Sequence, residues 1–111
     1  MRTVPVLLLV LAVAGCWPSH DPAPEEEALL LYDHAETLYA EKRYAEAAPE
    51  YEVVIYHRNR WKDPHVKLAR CYEATGRRAE AIRALEKMLA FDRYDEEGLR
   101  ELARLQALRT P

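Results

Sequence analysis

Leu38–Tyr51 reads LYAEKRYAEAAPEY, and Cys71–Leu85 reads CYEATGRRAEAIRAL. The second stretch repeats the first in a fixed register. When the chain is set against itself with a shift of 34 residues, Ala35 returns as Ala69 and again as Ala103, and Glu46 and Ala47 return as Glu80 and Ala81. The bulky positions Leu38 and Tyr51 meet Tyr72 and Leu85, His34 shares a register with Leu68 and Leu102, and Tyr39 meets Glu73 on a face expected to be exposed. A repeat of this period marks a stack of supersecondary units, each too small to bury its own apolar face alone.

The units are helical. Apolar residues recur at spacings of three and four through LLLYDHAETLYA, VKLARCYEA, AIRALEKMLAF and LRELARLQAL, and no alternating strand pattern competes with them. Asp63 followed by Pro64 suggests an N-cap and a first-turn proline, and Thr75 with Gly76 a helix stop. Five helices are expected, near 25–41, 44–58, 63–75, 78–91 and 94–109. Pro49 falls inside the second, where it removes one backbone hydrogen bond and crowds the carbonyl of Ala45 at a cost of about 3 kcal/mol, so a kink is predicted there.

Period and pattern together resemble the tetratricopeptide repeat, a helix-turn-helix unit whose small residues let helices approach while large ones fill the gaps. The resemblance covers 28–61 and 62–95 as two repeats and 96–109 as a capping helix, all within an all-α domain at 28–111. The second repeat is the closer match, with small residues at Ala69 and Ala81, an aromatic at Tyr72, the turn glycine at Gly76 and later apolar positions at Leu85, Met88 and Leu89. The first has Lys42 where the turn glycine belongs and His34 in place of leucine. Neither keeps the family's terminal proline, the positions being Asn59 and Arg93.

The resemblance implies an α-α superhelix whose inner face, made by the first helix of each unit, holds peptides or partner proteins. Position by position, that groove falls on Tyr32, Glu36 and Tyr39, then Lys67, Arg70 and Glu73, with Arg100 and Arg104 added by the closing helix. Tyrosines supply contact area at little entropic cost, and arginine grips carboxylates. The family's carboxylate clamp is absent, because Tyr32 and Glu36 stand where lysine and asparagine belong. Such arrays usually need about three repeats to bury enough surface. Association with a partner or a second copy is therefore a way to supply the rest, with LLLY at 29–32, Tyr56 and Trp61 as candidate contacts or as cover for the core.

The N-terminus points to export. Met1, Arg2 and Thr3 precede an apolar run from Val4 to Ala14, eleven residues long, whereas a membrane-spanning helix needs about 20. The stretch VAGC at 13–16 resembles the lipobox of bacterial lipoproteins, which implies a signal peptide at 1–15 and lipidation of Cys16. Ala12 and Ala14 also form an A-x-A site, at which ordinary cleavage would release a soluble protein. Acyl chains contribute about 0.8 kcal/mol per buried methylene, so two or three hold a small domain firmly. Pro18, Pro22 and Pro24 make 16–27 a tether reaching on the order of 30 Å at about 3.1 Å per residue. Trp17 is not the aspartate that signals inner-membrane retention, so the resemblance implies the periplasmic face of an outer membrane.

The chain has 111 residues and a net charge of −3, which allows one small domain. With Cys16 at the anchor, Cys71 has no partner for a disulfide and is expected as a small buried core residue. The four histidines, His20, His34, His57 and His65, have no metal-ligand spacing. No nucleophile elbow or glycine-rich phosphate loop is present, and the acidic residues from Glu25 to Glu52 sit on helix surfaces. No enzyme, metal or cofactor is implied. The acidic balance and export disfavour nucleic acid despite HRNRWK at 57–62, which suits lipid head groups, a polar partner or water. The reading is a membrane-anchored interaction scaffold of the cell envelope, which aids assembly of an envelope complex. The alternative is a non-catalytic accessory subunit of a cell-wall enzyme.

Overall fold

A computed structural model describes residues 24–108, and these contain five α-helices and no strand. They are α1 (Pro24–Ala40), α2 (Tyr44–His57), α3 (Lys62–Ala74), α4 (Arg78–Phe91) and α5 (Glu96–Ala107). The expected helix over 78–91 is met at both ends, and the other boundaries differ by at most two residues. The expectations for 1–23, including the signal peptide, Cys16 and most of the tether, lie outside the described residues, as does residue 109 of the closing helix. Among the described residues no helix is long and apolar enough to cross a membrane.

Each helix packs on its neighbours in sequence, α1 on α2, α2 on α3, α3 on α4 and α4 on α5. The alanines explain how. Ala35, Ala47, Ala69 and Ala81 are all buried, which lets the paired helices approach, and Leu38, Tyr51, Tyr72 and Leu85 fill the space between them. Val54, Leu68, Ile82, Met88, Leu105 and Cys71 are buried with them, and burial pushes the Cys71 thiol up to about 11, so it is an inert apolar filler. Gly98 gives α5 its close seat on α4, because a Cβ there would run into Met88 Cε and crowd Leu89. Ala103 departs from the pattern. Although in register with Ala35 and Ala69, it is exposed, since no later helix among the described residues packs on it.

The repeat extends to the backbone. In the first turn Arg43 N–H donates to Leu38 at 2.9 Å and Lys42 N–H to Tyr39 at 3.0 Å. In the second, Arg77 N–H donates to Tyr72 at 2.7 Å and Gly76 N–H to Glu73 at 3.1 Å. Both are Schellman caps, with the residue after the cap in the left-handed region, Gly76 at φ 79° and Lys42 at φ 61°. Lys42 thus does the work of the turn glycine at the cost of a Cβ in a crowded conformation, about 1–2 kcal/mol. Lys42→Gly is expected to raise the unfolding free energy by about 1 kcal/mol in urea melts, the relief being partly offset by glycine's larger unfolded-state entropy. No change, or a loss, would show that the first turn carries no such strain.

The inter-repeat joints also match. Arg58 N–H donates to Val54 and Trp61 N–H to Arg58, and at the next joint Asp92 N–H donates to Met88 and Asp95 N–H to Asp92. Here the expected cap of α3 is corrected: the N-cap is Trp61, not Asp63, because the backbone joint sets the start one register earlier. Asp63 instead lies in the first turn, where its negative charge suits the helix dipole. The equivalent cap of α5 is a true side-chain cap, with Asp95 accepting from Gly98 N–H at 2.7 Å. Pro49 sits inside α2, which starts before it at Tyr44 and runs unbroken to His57.

Among the described residues His65 is the buried histidine, and its Nε2 donates to the Asn59 carbonyl at 2.8 Å. Burial holds its pKa below 6.5 and nearby Lys87 adds to that, while the Asn59 carbonyl pulls the other way. The unfolded chain therefore takes up a proton that the fold refuses. Stability is complete above the ordinary histidine range and falls as pH drops through it, by at most about 1.4 kcal/mol per pH unit. The melting temperature should fall between pH 7.5 and 5.5, and His65→Phe should flatten that dependence. An equally steep profile in the variant would remove His65 as its source. Glu73 and Asp95, whose carboxyl pKa values are held down chiefly by Arg104 and Lys62, act in a separate window. Their contributions are lost only below about pH 4.

Candidate interaction face

Ion pairs between α1, α3 and α5 place these helices side by side on one face, the one the repeat pattern marks as the groove. Tyr32, Glu36 and Tyr39 lie on successive turns of α1, Lys67, Arg70 and Glu73 on α3, and Arg100 and Arg104 one turn apart on α5. Both tyrosines are half-buried. Tyr32 sets its ring edge-on to Tyr51 at 6.3 Å and to Trp61 at 6.1 Å, and Tyr39 does so to Tyr44 at 5.4 Å and Tyr51 at 6.4 Å. The face therefore has an aromatic floor rooted in the core.

Its charges are used in pairs across the helices. The Tyr32 hydroxyl donates to Asp63, and the Tyr51 hydroxyl donates to Glu36 at 2.6 Å. Burial, then these carboxylates, push both phenols far above the ordinary tyrosine range. Lys67 donates to Glu36 and stands 5.4 Å from the centre of the Tyr39 ring. Its burial opposes the charge, but Glu36 and Asp63 more than offset that and hold it protonated. Arg70 pairs with Glu97 at 3.0 Å, and Arg104 grips Glu73 through two bonds of 2.7 and 2.6 Å while touching Glu101 at 2.8 Å. Lys62 bridges Asp95 at 2.6 Å and Glu97 at 3.3 Å.

All the residues expected on the groove except Arg100 thus take part in ring contacts or ion pairs with neighbouring helices. Arg100 is exposed and makes no hydrogen bond or ion pair among the described residues, although it lies close enough to Asp95 to stabilise its charge. The sequence reading did not place Asp63, Glu97 or Lys62 on this face, whereas Trp61, expected as a contact or as cover for the core, packs on Tyr32. Asp63 and Glu97 are themselves in register at the repeat shift of 34, and Asp63 stands four residues before Lys67, a spacing that marks helix-surface pairs.

These pairs are half-exposed and contribute about 0–1 kcal/mol each. They orient the long side chains and yield readily. A partner's carboxylate meets a guanidinium already matched to Glu73 or Glu97, so the face suits a ligand with its own mixture of polar and apolar groups. Tyr56, expected either as a contact or as core cover, is 84% exposed and covers nothing, and Leu29 and Leu30 are exposed too, whereas Trp61 packs on Tyr32. No group of three or more histidine, cysteine or carboxylate side chains among the described residues is placed to hold a metal ion.

A family model described as tetratricopeptide repeat matches residues 38–107. No curated protein matches the chain, and no solved structure does.

Proposed function

Because the chain belongs to the tetratricopeptide repeat family, we propose that this interaction module is a scaffold of a bacterial cell envelope, lipid-anchored through Cys16, whose α1–α3–α5 face takes a segment of another envelope protein. The observation that carries the binding face is the aromatic floor of Tyr32 and Tyr39, framed by charges that already hold one another in place. Preorganised aromatics supply contact area without an ordering cost, and half-exposed pairs can be exchanged for a partner's groups. The anchor rests on VAGC at 13–16, and the outer-membrane placement on Trp17 after the cysteine. In that setting the scaffold aids assembly of an envelope complex.

A crosslinkable residue replacing Tyr39, compared with one replacing the exposed Glu86 on α4, tests the face in cells. The expected result is a discrete adduct from position 39 only, weakened about tenfold by Tyr32→Ala, with all protein in the membrane fraction. Cys16→Ala should leave the fold intact and release the protein from the outer membrane. Adducts indifferent to Tyr32 would refute the face, and an unlipidated, membrane-free native protein would refute the anchor.

A further inference from the structure

The outer side of the stack differs from the groove in its electrostatics. Between α2 and α4, a notch of about 350 Å³ is floored by Ile55, Leu68 and Ala84 with the edge of His65, and rimmed by Glu52, Glu80, Arg83 and Lys87. A second hollow of about 390 Å³ shares Ile55, His65 and Lys87 with it and adds Arg60 and Phe91. The two form a continuous trough along the helices. Its carboxylates are occupied: the Tyr72 hydroxyl donates to Glu52, and Arg77 pairs with Glu80. Its cations are not. Arg60, Arg83 and Lys87 make no hydrogen bond or ion pair among the described residues, whereas on the opposite face Lys67, Arg70 and Arg104 are all paired.

We infer that this trough is a second binding surface, which takes an acidic peptide segment of a partner protein, with carboxylates at Lys87, Arg83 and Arg60 and an apolar side chain on Ile55 and Phe91. The argument is charge complementarity over an apolar floor. Like charges gathered beside a hollow repel one another, and an incoming carboxylate relieves that repulsion while its apolar neighbour leaves water. His65, buried and neutral beside Phe91 at 5.3 Å, keeps the middle of the floor uncharged. The trough is polar in the sense of direction: Glu52 and Glu80 lie at the end near the start of α4, and Lys87 with Arg60 at the end near its finish. A continuous anionic surface such as a bilayer would meet those carboxylates as well, whereas a short peptide can place its acidic residues at one end only. The proposal goes beyond the groove reading and does not depend on lipid at Cys16.

The test uses the full chain, isotopically labelled, titrated with the end-blocked heptapeptide Gly-Leu-Asp-Phe-Asp-Leu-Gly. A version with lysine for aspartate and vesicles of phosphatidylglycerol serve as separate arms. The expected result is movement of the Ile55, Ala84 and Lys87 amide signals by the acidic peptide alone, with binding weakened about tenfold by Lys87→Glu and by Arg83→Glu and unchanged by Arg104→Glu. All three side chains are exposed, and Lys87→Met provides a milder variant should a reversal perturb the fold. Shifts confined to α1, α3 and α5, equal binding of the lysine peptide, a response to vesicles only, or unaltered affinity in Lys87→Glu and Lys87→Met would each overturn the proposal.

Discussion

Tyr51→Ala lowers the unfolding free energy by about 4 kcal/mol, the largest loss expected from any single substitution in the chain. Tyr51 is the largest fully buried side chain of α2, and its ring is the common neighbour of Tyr32 and Tyr39. Truncation opens a cavity between α1, α2 and α3, strips both tyrosines of an edge-to-face partner, and leaves Glu36 without the hydroxyl that steadies it. Tyr51→Phe keeps the ring and deletes only the hydroxyl. Because Glu36 retains Lys67, the cost falls to about 1 kcal/mol. Urea denaturation of the two variants separates packing from hydrogen bonding, and similar losses in both would mean that the ring itself contributes little.

The second large effect is at the opposite end of the stack. Leu105 is the buried leucine of α5, 1% exposed, and α5 packs chiefly on α4, with half-exposed ion pairs reaching it from α3. Leu105→Ala should cost about 3 kcal/mol. The loss should appear first as local opening, because an element packed chiefly on one neighbour has little else to keep it in place. Hydrogen exchange of the α5 amides is then expected to accelerate well before that of α3. Since Arg104 and Glu97 leave with the helix, capture through the α1–α3–α5 face should fall with it. Uniform acceleration across α3 and α5 would instead mean that the five helices unfold as a single unit.

Much of this architecture was legible because helix packing imposes residue types at fixed intervals. Alanines at 35, 47, 69 and 81 announced the close approaches, and all four are buried. Cys71 was readable as core filler for the same reason. The start of α3 was not, since Asp63-Pro64 has the local chemistry of a cap, and only the backbone joint shared with Asp95 shows that Trp61 occupies that place. Lys42 was hard to read in a related way: the sequence signal for a left-handed cap is glycine, and the Schellman hydrogen bonds hold lysine there instead. Ala103 shows the limit of register itself, because a small residue is buried only where a neighbour comes to meet it.

On the groove, the sequence located Tyr32, Glu36, Tyr39, Lys67, Arg70, Glu73 and Arg104 on one face but gave no view of which charges find each other across helices. Glu36 with Lys67 joins residues 31 apart, as does Glu73 with Arg104. Pairing at such separations follows from the stacking geometry, which periodicity within one helix does not contain. Arg100 fell outside these pairs because its neighbour Asp95 is taken by Lys62 and by the cap of α5.

The pairing of Lys67, Arg70 and Arg104 with carboxylates of the same chain has a consequence for ionic strength. When a segment with its own acids and bases enters, each contact it makes replaces an internal one, and few counterions are gained or released. Added salt weakens both sides of that exchange alike. Association on this face should therefore tolerate changing ionic conditions.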